Sequence, residues 1–459
     1  MLTRIEIDGF KTFRDFALDV PPFLVVLGRN AAGKSNLFDA LQFLRLLADG
    51  SLLEAAQHAR GEVTELFHRY SDGGRATCMT FAAEVLLDRS VTDAFGDTAP
   101  VGHSRLRYEV SIELRESRGL RPYVVRESVR PIRRSEDTWI ATFAPGLAVY
   151  SSRTSDLLET DTSDPARPKF VIRQQKGAQG RPRELPASEA TATVLSSLTT
   201  ANEFPLLYAL RAEFRSWKLL HLDPTALRAA DSYDDPDVLG ANGAHLANAL
   251  RRIAQETGSA DRPDGVLNDL SADLAAVIPE VVGVGLDEDE ARRQRQVQVV
   301  ARDEAPFSAR VASDGTLRAI ALLAALYDPR GPGLICFEES ENGIYPERLA
   351  QFVRHLRTLV DRSLERRLTD DRSSLNQLIL SSHSPAILRA LRSADGTGLR
   401  RDVVFVDTAA KVTPGSPKSR VTRVRGVSAM EQTGPGLDVG AVVSPAEIAD
   451  FEVSEALGV

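Results

Sequence analysis

Cysteine is nearly missing from this 459-residue chain: Cys78 and Cys336 are the only two, and Cys336 falls inside a strand-like apolar run. That excludes a disulfide framework and a zinc knuckle, both of which need more thiols. The seven histidines form no metal-ligand spacing. No run of about 18 uncharged apolar residues occurs, so no transmembrane helix is expected. Residues 1–10 alternate like a strand and lack the basic region and apolar core of a secretion signal, which points to the cytoplasm. Apolar heptads are not sustained anywhere, which excludes a long coiled coil, and no fixed-period repeat is found. Lysine is also scarce, at seven of 56 basic residues, and the arginine excess reads as codon usage. The net charge of -8 disfavours a surface coated in basic patches but leaves room for a local groove that holds DNA.

What remains is an ordinary globular composition, 43% hydrophobic and 26% charged, on a chain long enough for two or more substructures. Residues 2–10 read as a strand, and residues 23–27 as a continuous apolar strand buried on both faces. Leu37, Leu41, Leu44 and Leu47 then mark one face of a helix that Gly50 closes. Residues 79–87, 105–114 and 122–129 are short strand runs separated by polar turns, which predicts an antiparallel sheet. Residues 151–186, rich in Ser, Thr, Asp, Pro, Gly and Arg, read as a long exposed loop or irregular hairpin. Helices are expected over 204–220, 243–257 and 266–278, followed by a hairpin of 282–287 with 296–301. The last third alternates: helix 316–326, strand 333–337, helix 346–364, strand 377–380, strand 403–406. Alternation of this kind predicts a parallel sheet with covering helices. The final forty or so residues look loosely structured.

Three stretches carry chemistry. Gly28-Arg29-Asn30-Ala31-Ala32-Gly33-Lys34-Ser35 fits G-x-x-x-x-G-K-[ST] and lies between the buried strand and the helix, with Asn36 following. In that context its amides wrap phosphates, Lys34 reaches the β- and γ-phosphates of ATP and Ser35 ligates Mg2+. Leu334-Ile335-Cys336-Phe337-Glu338-Glu339 is an apolar strand ending in two carboxylates, one for the metal shell and one for the attacking water. Leu378-Ile379-Leu380-Ser381-Ser382-His383 ends another strand of the same sheet in a polar cluster with a single histidine, which suits either a structural or a ligand-facing role.

The order of these stretches, with Ser313-Asp314-Gly315-Thr316 between the first two sites, resembles the RecF/SMC-like branch of ATP-binding-cassette ATPases. More closely, the chain is similar to the stalkless bacterial "AAA family ATPase" group related to the overcoming-lysogenization-defect proteins. The opening Ile5-Glu6-Ile7-Asp8-Gly9-Phe10-Lys11-Thr12-Phe13, the segment Gly33-Lys34-Ser35-Asn36-Leu37 and the run Glu338-Glu339-Ser340-Glu341-Asn342-Gly343 carry the likeness, which covers roughly residues 1–90 and 200–410. The resemblance implies an ATPase that dimerises around ATP and Mg2+, or forms a higher oligomer. It implies a signature at Ser313, Asp314 and Gly315 that acts on the opposite subunit's nucleotide. Read by residue types alone, that triplet suits a helix amino-terminal cap. Glu338 takes the metal-linked acid position, Glu339 the catalytic glutamate, residues 341–344 the interface loop and His383 the switch histidine. Arg29, Ala31, Ser340 and Tyr345 depart from the usual pattern, and the glutamine linking metal site and lobe is not found; Gln57 lies too close behind the first helix.

The expected fold is thus α/β: a P-loop core of mixed or parallel sheet, an antiparallel β subdomain and a helical insertion. Its expected parts are an N-terminal ATPase lobe (1–150), an insertion (151–300), a C-terminal ATPase lobe (301–410) and a loose tail (411–459). The roles in view are action on DNA in repair or genome maintenance, and control of a separate nuclease or effector chain in anti-phage defence. A fused nuclease is disfavoured because roughly 75 residues follow His383. Membrane transport is disfavoured by the long sheet-rich insertion and the lack of a span.

Overall fold

A computed structural model describes residues 1–116, 119–174, 181–331, 333–370, 375–392, 402–412, 417–427 and 442–454. Its centre is the strand Phe23–Leu27, every residue of which is buried. Successive side chains of a strand point to opposite faces. Leu24 and Val26 accordingly enter one core while Phe23, Val25 and Leu27 enter the other. Leu334 and Cys336 against Ile335 and Phe337 split in the same way. Continuous apolarity in the sequence therefore corresponds to burial on both faces.

The sheet built on this strand has the order Lys218–Leu220, Leu334–Phe337, Gln377–Ser382, Phe23–Leu27, Val403–Lys411, Ser419–Gly426. All neighbours are parallel except the last pair. On one face lies the helix Lys34–Leu47, whose Leu37, Leu41, Leu44 and Leu47 are buried as their spacing requires. Each such leucine contributes about 1.5–3 kcal/mol by leaving water. That helix is sandwiched against an eight-stranded antiparallel sheet in which Leu2–Asp8, Cys78–Leu86, Arg105–Glu116 and Leu120–Pro131 are the long members. The other face is covered by Leu246–Thr257, Leu267–Val277, Asp314–Tyr327 and Pro346–Thr369. The fold is α/β with one mixed and one antiparallel sheet, as expected, and the hairpin Val281–Asp289 with Gln294–Ala301 forms where its sequence placed it.

Three expectations need correction. Of the two expectations for residues 151–186 the hairpin is nearer than the exposed loop: Leu158–Asp161, Lys169–Ile172 and Arg183–Pro186 pair antiparallel in succession and extend the antiparallel sheet. These four-residue strands bury Leu158, Phe170, Val171 and Ile172, but polar residues dominate the segments around them, so the composition of the stretch reads as loop. The helix expected over 204–220 stops at Ser216. Trp217 turns extended, its indole N–H donating to Glu213 (3.0 Å), and Lys218–Leu220 becomes a parallel edge strand beside Ile335–Phe337. Leu219 and Leu220 continue the helical spacing by sequence; only the partner strand decides otherwise. Finally, the tail contains the strand Ser419–Gly426 and the helix Pro445–Ser454; the expectation for 428–441 and 455–459 lies outside the described residues.

Among the described residues no helix is long and apolar enough to cross a membrane.

Candidate nucleotide-binding site

The strand Phe23–Leu27 feeds a loop that turns into the helix Lys34–Leu47, and two loop residues are left-handed: Ala31 (φ 60°) and Gly33 (φ 104°). A side chain at Gly33 is barred sterically as well, because a Cβ there would lie 2.1 Å from Thr422 Oγ1. Thr422, from the last strand of the sheet, shares a hydrogen bond with Thr12 Oγ1 (2.6 Å) and donates to the Ala32 carbonyl (3.3 Å). Thr12 in turn accepts from the Asn36 amide (2.8 Å). The loop is therefore braced from behind by two threonines that lie outside the phosphate-loop motif.

Lys34 folds back on its own loop, its ammonium donating to the carbonyls of Gly28 (2.5 Å) and Arg29 (3.0 Å). Burial lowers its pKa, while Glu341, Glu339 and Glu338 act in the opposite direction. Three features that favour an anion therefore meet at the helix start: the loop amides, the dipole end and Lys34.

Across the cleft, the strand Leu334–Phe337 delivers Glu338 and Glu339 in different states. Glu338 is 9% exposed. Its Oε2 lies 3.3 Å from Arg60 Nη2 and 3.5 Å from His221 Nδ1, while its Oε1 is buried with no hydrogen-bond partner. Glu339 is exposed, with its backbone left-handed at φ 53°, a conformation that costs a non-glycine residue about 1–2 kcal/mol. Ser381 Oγ accepts from its amide (3.3 Å), and its carboxylate accepts from the Asn342 side chain (2.6 Å). The strand Gln377–Ser382 brings His383 beside them; its amide donates to Glu341 Oε1 (2.8 Å) and its Nδ1 lies 2.6 Å from the same oxygen.

Residues 30–36, Glu338, Glu339, Glu341, Ser381, Ser382 and His383 line one open cleft of about 720 Å³. Gly28 lies buried under the loop, and the exposed Arg29 takes part through its carbonyl. The orphaned Glu338 Oε1 and the Ser35 hydroxyl form an all-oxygen donor set of the kind Mg2+ takes, so these residues fit that ion.

Ser313, Asp314 and Gly315 are not among the residues lining this cleft. Ser313 caps the helix Asp314–Tyr327, accepting from the Thr316 amide (3.2 Å), and Arg228 donates to the Asp314 carboxylate. Gly315 packs so closely that a Cβ would lie 2.1 Å from the Gly343 carbonyl oxygen. One short segment, Glu341 to Gly343, thus touches His383 at one end and the helix cap at the other.

Sequence reasoning missed Arg60, His221, Thr12, Thr422 and the His383–Glu341 pair. Arg60 also reaches Asp39 Oδ1 (3.2 Å), so it spans the two sides of the cleft mouth. Arg60, His221 and Thr422 sit in no recognisable motif; Thr12 lies in the opening run that carries the family likeness, and His383 and Glu341 were each singled out there but not as a pair. Gln57 ends the helix Leu52–Gln57 and is exposed.

Residues 186–389 match a family model described as "AAA domain, putative AbiEii toxin, Type IV TA system", and residues 1–54 match "Protein of unknown function (DUF2813)". Residues 186–389, somewhat under half of the chain, are thus similar to an AAA domain. Over 88 residues it is 34% identical to the chromosome partition protein Smc of Methanocaldococcus jannaschii, a match spanning 18% of this chain and 7% of that relative. Among solved structures it is similar to an Smc head bound to the C-winged helix domain of ScpA, at 12% identity and TM-score 0.49, covering 93% of this chain and 97% of that one. It is also similar to an Smc head with an extended coiled coil bound to the C-terminal domain of ScpA from Pyrococcus furiosus, at 10% identity and TM-score 0.47, covering 94% and 97%.

Proposed function

We propose that this chain hydrolyses ATP at sites completed by a second copy of itself, and that the resulting cycle of association controls an effector chain or acts on DNA in anti-phage defence. The observation that carries the reading is the split of the motifs. Phosphate loop, strand-end carboxylates and His383 share one cleft, while Ser313 to Gly315 lie outside it and rest on the Gly343 carbonyl. Val311 and Tyr345 flank those two segments and are 75% and 73% exposed, an apolar pairing suited to an interface.

Phosphoryl transfer asks the protein mainly to position groups and stabilise charge. On ATP binding, Lys34 exchanges the carbonyls of Gly28 and Arg29 for phosphate oxygens. Ser35 and Glu338 would hold Mg2+, which when bound would supply neutralisation of phosphate charge. Glu339 orients the attacking water; the water oxygen bonds to the γ-phosphorus, the bond to the β–γ bridging oxygen breaks, and the proton passes to the Glu339 carboxylate. His383, held by Glu341, faces the released phosphate. Signature residues of the second copy add helix-start donors to the same phosphate.

The defence role is supported over repair by the matched description, which names a putative AbiEii toxin. Stimulation of the ATPase by bare DNA favours repair or genome maintenance; stimulation by a nuclease or effector chain favours defence.

The composite site is tested by mixing. Lys34→Ala lacks a working phosphate loop and Ser313→Arg lacks a working signature, so each alone is inactive. Their heterodimer has one intact site across its twofold axis. ATPase activity is expected to rise on mixing and peak at equal proportions, with light scattering confirming dimers in ATP. No recovery despite confirmed heterodimers, or full turnover by a strictly monomeric wild type, refutes the shared site.

A further inference from the structure

Away from the cleft, three potential metal ligands that are scattered in sequence converge. Asp231 ends up on a two-residue strand paired with Gln294–Ala301, Asp235 lies in the following turn, and His245 precedes the helix Leu246–Thr257 in left-handed conformation. One ligand atom from each lies within 4.8 Å of the others.

The histidine supplies the informative detail. His245 Nδ1 is buried and has no hydrogen-bond partner. It lies 3.6 Å from Asp231 Oδ1, too far for a hydrogen bond. Two ligands of a tetrahedral ion with bonds of about 2.0–2.2 Å are separated by about 3.3–3.6 Å, which that spacing matches.

Charge points the same way. The Asp231 side chain is 5% exposed. The neighbouring cations are committed elsewhere: Arg293 to Asp234 (3.0 Å), and Arg295 to Glu288 (2.9 Å) and the Asn248 side chain (2.6 Å). The remaining oxygens are oriented, Asp231 Oδ2 by the Asn248 amide (3.1 Å) and Asp235 Oδ2 by the Ser232 amide (2.7 Å). Two carboxylates thus face a single imidazole with no fixed cation between them, and a buried charge of this kind is retained when it is paired or metal-bound.

We propose that Asp231, Asp235 and His245 bind a divalent transition-metal ion, Zn2+, with solvent at the exposed Asp235 side completing the shell. The site clamps the turn between the strand at Asp231 and the helix at Leu246. Three residues upstream, Arg228 donates to the Ala312 carbonyl (2.9 Å) and to the Asp314 carboxylate, so the clamp stiffens the segment that holds the helix cap at Ser313.

The test uses the full chain, stripped with a chelator and dialysed against zinc chloride without nucleotide, with bound metal counted by mass spectrometry. About one zinc per chain is expected, with a raised melting temperature, and Co2+ in its place should give the visible bands of a tetrahedral site. Asp235→Asn, in an exposed turn, and His245→Asn, which tolerates left-handed backbone, should each lower zinc affinity about tenfold or more. Glu338→Gln should leave this binding unchanged, which separates it from the cleft and from the ATPase reading. Negligible binding by the wild type, or wild-type binding by both Asp235→Asn and His245→Asn with native circular dichroism, overturns the proposal.

Discussion

Gly33→Ala tests how the phosphate loop is held, because the substitution adds one methyl group at a position that is blocked twice. The backbone there has φ 104°, which costs a non-glycine residue about 1–2 kcal/mol. The new Cβ would lie 2.1 Å from Thr422 Oγ1, 2.9 Å from its Cγ2 and 3.0 Å from its Cβ, so Thr422 has to withdraw. Withdrawal breaks its bonds to Thr12 and to the Ala32 carbonyl, each worth about 0.5–1.5 kcal/mol. Together the terms amount to about 2–5 kcal/mol, charged against the loop conformation that cradles phosphate. ATP affinity should fall about 30-fold at the low end and beyond 1000-fold at the high end. The assay is a fluorescent-nucleotide titration on wild type, Gly33→Ala, Thr422→Ala and the double variant. In the Thr422→Ala background most of the overlap and both bonds are already gone, so Gly33→Ala should there cost only the backbone term, leaving a coupling of about 1–3 kcal/mol. Near-wild-type affinity for Gly33→Ala, or an identical cost in both backgrounds, refutes the brace.

The left-handed Ala31 gives the opposite sign: Ala31→Gly should relieve about 1 kcal/mol and tighten nucleotide binding several-fold, measured in the same titration. Glu338→Gln should weaken Mg2+-dependent ATP binding, whereas Glu339→Gln should keep binding, slow turnover and accumulate as a dimer with ATP in light scattering; the reverse pattern exchanges their roles. Glu127, buried in the antiparallel sheet and accepting from the amides of Val194 and Leu195, has its pKa raised by burial to about 7. The folded chain therefore holds this proton more tightly than the unfolded chain, and its contribution to stability is lost as pH rises from about 4.5 to about 7, by about 3 kcal/mol. Urea melts at pH 5 and pH 8 should show the loss in the wild type and little of it in Glu127→Gln; a difference between the two proteins that stays constant with pH contradicts the assignment.

Local signals carried much of the fold. Apolar runs at Phe23–Leu27 and Leu334–Phe337, the leucine spacing after Lys34 and the glycine pattern between them depend on neighbours within a few turns of chain, and those are written in order along it. They were enough to put the phosphate loop, Glu338, Glu339 and His383 at the same sheet edge, because parallel strands present their carboxyl ends together. Two short strands were illegible. Lys218–Leu220 draws its stability from pairing with Leu334–Phe337, far away in sequence, and Lys169–Ile172 from pairing with two equally short neighbours; pairing leaves no periodic mark on so short a run. The supports of the site were hidden for the same reason. Thr12 meets Thr422 across 410 residues, and Arg60 meets Glu338 across 278. Such residues are ordinary polar types, and only the three-dimensional path of the chain sets which of them stands behind a phosphate loop and which faces water. Asp231, Asp235 and His245 follow the same logic: their spacing fits no linear motif, and the two-residue strand that carries Asp231 to within 4.8 Å of the other ligand atoms is defined by its pairing with Gln294–Ala301.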